Sequence, residues 1–388
     1  MPLSMFAVTA PGLESLAAAE LRAIGAKRVR AEEGGVGFAG GRDMLYAANL
    51  WLRTASRVLV RIAAFHASEF HELERRARRL PWEQYALPGR AIRFRVTCRK
   101  SRLYHSDAVA QRFAGAVAAT LGDSAVAEKA VSSGNDDHDE DNGDAQLFVV
   151  RIAHDECTVS ADSSGVLLHQ RGYRQAVARA PLRETLAAAM LLAAKWDPAS
   201  PLVDPMCGSG TIGIEAALLA RRLAPGRNRD FAFQRWPDAD AREWTELLAR
   251  AEAGVVTGGI APIVCADRDA GAVAATRANA GRAGVSADID VREGAISSIE
   301  GRGEAGWLVT NPPYGVRMGE RNALRSLYAQ LGHVARAVFP GWTVALLAAD
   351  RALASQLRLS LEPRMATSNG GIAVELLVGR VAESEPAP

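Results

Sequence analysis

The sequence predicts an α/β chain in three parts: two small α+β units followed by a parallel, doubly wound sheet. Three observations carry this. The first 65 residues give signals in the order strand, helix, strand, strand, helix, strand. A second mixed stretch with its own strands and helices ends near Gly165. From residue 183 onward strands and helices alternate, and a glycine-rich turn joins the first of those strands to its helix.

In the first part, FAVTA (6–10) reads as a strand and LESLAAAELRAIG (13–25) as an amphipathic helix ending at Gly25. KRVRAEEG and GVGFAG (27–40) form two strands joined by a Gly-Gly turn. RDMLYAANLWL (42–52) is helical, and RVLVRIAAF (57–65) alternates as a half-buried strand. This order suggests a ferredoxin-like unit over 1–65. The second part, 66–168, gives a helix, the strand AIRFRVTC, the helix 106–122, and two strands, QLFVVRIAH and ECTVSADSS. The third part, 169–388, opens with a helix over 183–195 and then LVDPMCGSGTIGIEAALLA, which gives strand, turn and helix. PIVCAD, a helix over 269–284, ADIDVRE, WLVT, a helix over 324–338, WTVALLAA and the final strands RMATSN and GIAVELLVGR complete it. Residues 222–260 interrupt the alternation as an insertion with one helix.

Composition narrows the function. At 48% hydrophobic and 23% charged, the chain has the balance of a soluble globular protein. It holds no apolar run long enough to span a bilayer, so no membrane association is expected. MPLSMFAVTAPGLE has no basic start and meets Pro-Gly at once, so no signal peptide is expected. Cys98, Cys157, Cys207 and Cys265 are scattered without a C-x-x-C pair, which fits a cytoplasmic protein with reduced thiols and argues against a metal. The net charge of +2 hides an asymmetry. Six acids and no Lys or Arg fall in 131–145, a low-complexity tract expected to be a disordered loop. Without it the chain has 46 basic against 38 acidic residues, and 69–112 alone has eleven Arg or Lys against five acids. Such a surface suits a polyanion.

Two motifs carry chemistry. Gly208-Ser209-Gly210-Thr211-Ile212-Gly213 matches G-x-G-x-x-G, which by itself fits a dinucleotide fold. Asp204-Pro205 stands just before it, however, and a carboxylate there would repel a pyrophosphate. It would favour S-adenosylmethionine, which carries a sulfonium and an α-amino group. Asp267, at the end of the next strand, is placed for ribose hydroxyls in either case. The second motif, Asn311-Pro312-Pro313-Tyr314, follows the short strand WLVT. An exocyclic base amine is a poor nucleophile because its lone pair is delocalised. An Asn side-chain oxygen and a proline-stiffened carbonyl can accept its two N–H bonds and draw the nitrogen toward sp3 geometry, while Tyr offers a stacking face. Hydride transfer has no use for such a clamp, so the tetrad favours S-adenosylmethionine over a nicotinamide.

DPMCGSGTIGIEAALLA, HQRGYR, APLRETLAAAMLLA, TNPPYG and KSRLYHSDAVA resemble the THUMP-domain class I RNA methyltransferases that form N2-methylguanosine. The likeness is to the RlmL type acting on large-subunit (23S) ribosomal RNA, with the tRNA-acting TrmN type as a sister, and it covers about residues 3 to 380. It implies a ferredoxin-like domain and a THUMP domain (66–168) that dock RNA, and a seven-stranded Rossmann-fold domain that binds S-adenosylmethionine. It implies that Asp204, Pro205, Cys207, Gly208 and Gly210 line the methionine end, and that Pro181, Leu182, Glu184 and Thr185 fold over the cofactor. Asp267, followed by Arg268, would hold the ribose. Asn311, Pro312, Pro313 and Tyr314 would form the catalytic set, with Asn311 also beside the cofactor. Relatives carry an acid after the third strand. Here VREGAISS offers Glu293, with Ala295 at the spacing some relatives use for Asp.

For RNA contact the candidates are Arg99, Lys100, Arg102, Arg171 and Arg174. For the two arginines of HQRGYR, surface salt bridges are the alternative. Tyr104 and His105 are expected to pack at the start of the following helix. The expected reaction is methylation of a flipped guanine N2 in 23S rRNA. Guanosine N2 in tRNA and adenine N6 in nucleic acid are the alternatives.

Overall fold

The computed structural model describes residues 2–122, 145–175, 182–299, 305–314 and 321–383. The acidic tract lies outside them except for its last residue. The chain forms two compact units. The first contains Met1–Thr9, Ala17–Leu168 and Arg229–Ala249, and the second Ala10–Leu16, His169–Asn228 and Arg250–Pro388.

The first unit runs β1 (Leu3–Thr9), α1 (Glu14–Ala23), β2 (Lys27–Glu32), β3 (Gly35–Gly40), α2 (Arg42–Trp51) and β4 (Ala55–His66). It continues with α3 (Phe70–Ala77), β5 (Ile92–Arg99), α4 (Ser106–Leu121), β6 (Gln146–Ala153) and β7 (Glu156–Asp162). Its strands form one seven-stranded sheet in the order β2-β3-β1-β4-β7-β6-β5. The two small units read from the sequence therefore share a sheet, and β4 joins them. At 12 residues it is long enough to pair with β1 through Ala55–Val60 and with β7 through Leu59–His66. Where they meet, Arg57 of β4 forms a buried ion pair with Asp162 of β7. Burial pushes the Asp162 carboxyl up and the guanidinium beside it pulls the other way. Farther along, Trp82 is fully buried with its ring edge-on to Phe94, Phe113 and Phe148, and its Nε1–H donates to the Ala77 carbonyl at 2.9 Å.

The insertion read at 222–260 supplies residues 229–249 to this first unit. Phe233 stacks on Tyr46 at 4.4 Å, Trp236 meets Tyr85 edge-on, and the Trp236 indole donates to the Gln146 amide oxygen at 2.8 Å. Aromatic burial outweighs sequence proximity here, since Phe231, Phe233, Trp236 and Trp244 are all buried.

The second unit contains α5 (Glu184–Ala194), β8 (Leu202–Asp204), α6 (Thr211–Ala220), β9 (Ile263–Asp267), α8 (Ala270–Ala283), β10 (Ile289–Glu293) and β11 (Trp307–Thr310). Then come α9 (Arg321–Val338), β12 (Thr343–Ala348), α10 (Arg351–Ala354), β13 (Glu362–Asn369) and β14 (Ile372–Arg380); α7 (Ala241–Ala253) lies in the insertion. The sheet order is β10-β9-β8-β11-β12-β14-β13. The first five are parallel, and β14 inserts antiparallel between β12 and the edge strand β13. Parallel strands covered on both faces read as continuous apolar runs, as in VALLA (344–348).

Trp82→Ala should lower the stability of the N-terminal unit by about 3–5 kcal/mol, because three phenylalanine rings lose their common neighbour. Urea unfolding followed by circular dichroism measures this. A midpoint equal to that of the wild type would contradict the packing role.

Candidate active site

In an open parallel sheet the crevice for a ligand lies beyond the carboxyl ends of the strands, where the strand order reverses. Here the reversal falls between β8 and β11. β8 ends at Asp204, and the chain then turns through the glycine loop into α6. Gly210 has φ +82° and sits at the start of the helix; a Cβ on it would lie 2.6 Å from Thr276 Cγ2. A Cβ on Gly213 would lie 2.2 Å from Cys265 Sγ, so this glycine lets α6 close onto β9. Gly208, at φ +54°, has open space where its Cβ would point, which leaves its backbone approachable.

The loop is pinned from its neighbours. Asp267 Oδ2 accepts the Gly208 N–H at 2.9 Å and Oδ1 accepts the Asp269 N–H at 3.0 Å. Thr276 donates its hydroxyl to the Gly208 carbonyl at 2.8 Å, and Asn279 donates Nδ2–H to the Ser209 carbonyl at 2.9 Å. Arg282 in turn bonds the Asn279 oxygen and the Tyr173 carbonyl. Sequence reading missed Thr276, Asn279 and Arg282. The only signal in the sequence is that Thr276 and Asn279 are polar and three residues apart in an alanine-rich helix; the structure shows both fully buried.

Asp204 is buried, and burial pushes its carboxyl up to about 7. The Met206 N–H at 3.2 Å and the Thr310 hydroxyl hold it down, while Asp267 adds to the rise. Folding thus raises this pKa above the ordinary 3.8. The group favours the native state at low pH, and that contribution is lost as pH climbs from about 4 towards 7. A bound cation would stabilise the ionised form. Pro205 is buried, and Cys207 turns its thiol inward to 3.6 Å from Thr276 Oγ1. Its backbone, not its sulfur, faces the loop's bonds: the Cys207 N–H donates to Ala266 at 3.0 Å. Arg268 is exposed next to Asp267. Glu293 is exposed at the end of β10, level with Asp267 in the register, and Ala295 is exposed two residues on.

The tetrad follows β11. Leu308 is level with Val203 of β8, so Thr310 and Asn311 extend past the end of that strand. Asn311 Oδ1 is buried and has no hydrogen-bond partner among the described residues. A buried acceptor left unpaired costs free energy unless a ligand meets it. Pro312 is buried, Pro313 exposed and Tyr314 half-buried. The Tyr314 phenol oxygen accepts from Asn369 Nδ2 at 2.5 Å, and burial raises its pKa. Asn369, at the end of β13, is a further residue that sequence reading missed; nothing in its local pattern pairs it with a tyrosine 55 positions earlier.

Pro181 lies outside the described residues. Leu182, Glu184 and Thr185 are buried. Arg174 donates to the Leu182 carbonyl and to Glu184 Oε2, each at 2.8 Å. Burial pushes Glu184 up to about 7 against the pull of Arg174. Arg171 is buried too, with its Nε 2.9 Å from Glu215 Oε1, which also accepts from the Tyr173 hydroxyl at 3.1 Å. The phosphate role expected for Arg171 and Arg174 is therefore corrected. Their guanidiniums are engaged by internal carboxylates, Arg171 buried and Arg174 half-buried, and they brace the segment leading into α5 and α6.

Residues 171–376 match the family model described as the RMKL-like methyltransferase domain, and residues 4–59 match the RlmL ferredoxin-like domain. The chain belongs to the RMKL-like methyltransferase family. A provisionally named RNA methyltransferase of Synechocystis sp. is 36% identical over 373 residues, covering 96% of this chain and 95% of that one. The ribosomal RNA large subunit methyltransferase K/L of Syntrophotalea carbinolica is 36% identical over 395 residues, covering 98% of this chain and 54% of its own. The chain thus spans about half the length of the K/L relatives it matches. Among solved structures, a methyltransferase in complex with SAH aligns over 100% of this chain and 99% of its own, with 27% identity and a TM-score of 0.84.

As a member of the RMKL-like family the protein is a methyltransferase whose cofactor is S-adenosylmethionine. The residues present fit that cofactor. The open backbone at Gly208 admits close approach, Asp267 keeps lone pairs on both oxygens, and Asp204 is a buried acid that a cation would settle. Among the described residues no cluster of three metal-binding side chains occurs, and no helix is long and apolar enough to cross a membrane.

Asp267→Ala should weaken S-adenosylmethionine binding roughly tenfold to a hundredfold, the scale of one charge-assisted bond. Calorimetry giving wild-type affinity would show that another group holds the ribose. In the wild type, affinity should rise as pH increases through about 7, because the cation binds best beside ionised Asp204. Asp204→Asn should flatten that rise, and an unaltered pH profile in the variant would assign the titration elsewhere.

Proposed function

We propose that this methyltransferase forms N2-methylguanosine in large-subunit ribosomal RNA. The observation that carries the reading is the buried Oδ1 of Asn311 at the end of β11, which has no partner among the described residues. It is an acceptor waiting for a donor, and an exocyclic amine supplies two. S-adenosylmethionine, when bound, supplies an electrophilic methyl on sulfur. Asn311 Oδ1 and the Pro312 carbonyl would each accept one N–H of the guanine amine and favour the pyramidal nitrogen. Tyr314, its hydroxyl anchored by Asn369, would stack on the flipped base. Nucleophilic attack makes the nitrogen acidic, so its proton can leave without a strong base. Alignment of the two reactants would supply much of the acceleration.

RNA as the partner is supported by the names of the Synechocystis and K/L relatives and by the exposed basic residues Arg99, Lys100 and Arg102. Large-subunit rRNA is favoured over tRNA because the K/L relatives are named for it. Ribosomal RNA as substrate and unpaired thiols both suit a cytoplasmic protein.

Nucleoside mass spectrometry of rRNA and tRNA from a deletion strain tests this. Loss of N2-methylguanosine from 23S rRNA is expected. Loss from tRNA alone, or loss of N6-methyladenosine, would replace the proposal with the corresponding alternative. Asn311→Ala should lower single-turnover methyl transfer by orders of magnitude with cofactor affinity nearly intact, since its oxygen matters most as the nitrogen pyramidalises. Transfer at the wild-type rate would remove the amine clamp.

A further inference from the structure

The sequence suggests that Tyr104 and His105 pack at the start of α4. Only Leu103 does so, at 4% exposed. Tyr104 is 69% exposed, the most exposed of the three large hydrophobic side chains that stand out among the described residues. Its ring lies 4.0 Å from the His105 ring, tilted by 41°. Two adjacent aromatic rings therefore form a step on the surface of the first unit.

The backbone that carries this step is fixed. Lys100 is held at φ +47°, in the left-handed region that a lysine rarely adopts. Ser101 Oγ–H donates to the Arg99 carbonyl at 2.8 Å and accepts the Asp155 N–H at 3.1 Å. The Arg102 N–H donates to Asp155 Oδ1 at 2.7 Å, and the His154 N–H donates to the Arg99 carbonyl at 3.2 Å. The turn between β6 and β7 thus clamps the 99–102 loop. Lys100 and Arg102 are exposed beside the step. Arg99 is exposed with Glu33 at 3.7 Å, and Asp107 is the exposed acid on the first turn of α4. Asp155 is bound to the Arg102 amide and Glu33 to Arg99, while the side-chain charges of Lys100 and Arg102 have no carboxylate partner among the described residues.

We propose that Tyr104 and His105 form a stacking step for an unpaired RNA base, with Lys100 and Arg102 of the adjoining loop holding its phosphates. A preordered aromatic surface flanked by cations suits a single strand, whose bases expose their faces; a duplex keeps its bases stacked inside. The proposal rests on the RNA reading above and adds the strand state of the docked segment.

The test uses the full-length protein and one RNA sequence of about 12 nucleotides, within the span such surfaces engage, carrying 2-aminopurine. It is offered as a single strand and as a blunt duplex. The wild type should quench the single strand's fluorescence on binding. Tyr104→Ala should weaken single-strand binding about tenfold, leave duplex affinity and the salt slope unchanged, and keep wild-type cofactor affinity. Tyr104→Phe should bind as the wild type does. Lys100→Glu with Arg102→Glu should weaken both RNAs and make the salt dependence shallower. Wild-type affinity of Tyr104→Ala for the single strand would overturn the proposal, as would an equal loss for both RNAs. If the wild type bound neither RNA and the double charge reversal changed nothing, the RNA reading itself would fall with it.

Discussion

The glycine loop after β8 depends on one carboxylate. Asp267 takes the Gly208 N–H on one oxygen and the Asp269 N–H on the other, so the end of β9 fixes the turn that follows β8. A loop with two left-handed glycines would otherwise sample many conformations, and each would present a different backbone surface to a ligand. Thr276 and Asn279 complete the restraint from α8, and Arg282 carries it on to Tyr173. The loop is therefore held in one shape by the protein's own bonds. Asp267 keeps unused lone pairs on both oxygens, so its structural bonds do not exhaust it as an acceptor.

The same unit buries several charges. Asp204 and Glu184 are each raised to about 7 by burial, while Glu215 is held by Arg171 and Tyr173. Buried ion pairs are weak sources of stability, because desolvation offsets much of their attraction. Their value here is positional. Arg174 grips both the Leu182 carbonyl and the Glu184 carboxylate, which fixes where the chain enters α5. Asn311 Oδ1 shows the complementary arrangement: a buried polar atom without a partner among the described residues.

The strands and helices were legible in the sequence because their periods are strong. The VALLA run, the alternation of 57–65 and the G-x-G-x-x-G turn each allow few other folds. The places of Asp204, Asp267 and Asn311 at or just past the carboxyl ends of strands were legible as well, because the strands before them are recognisable. Long-range pairings were not legible. Nothing local ties Asn369 to Tyr314 or Arg171 to Glu215, and a surface salt bridge and a buried one look alike in a string of letters. Tyr104 was misjudged because an aromatic residue next to an apolar one reads as core, whereas the turn of the backbone buries only Leu103. The continuity of the first sheet was hidden because β4 is a single strand of 12 residues whose two halves serve different neighbours.

The insertion bears on the order of synthesis. Residues 229–249 are made after α6 and β8 of the second unit, yet Phe233 and Trp236 lie against Tyr46, Tyr85 and Gln146 of the first. A chain emerging from the ribosome usually completes its N-terminal unit first. This one cannot, because part of that unit's aromatic core is translated some 60 residues after Leu168. A cut between the units at residue 169 would likewise leave Phe231, Phe233, Trp236 and Trp244 on the wrong fragment. The two units are interleaved along the chain, so no single cut divides one from the other.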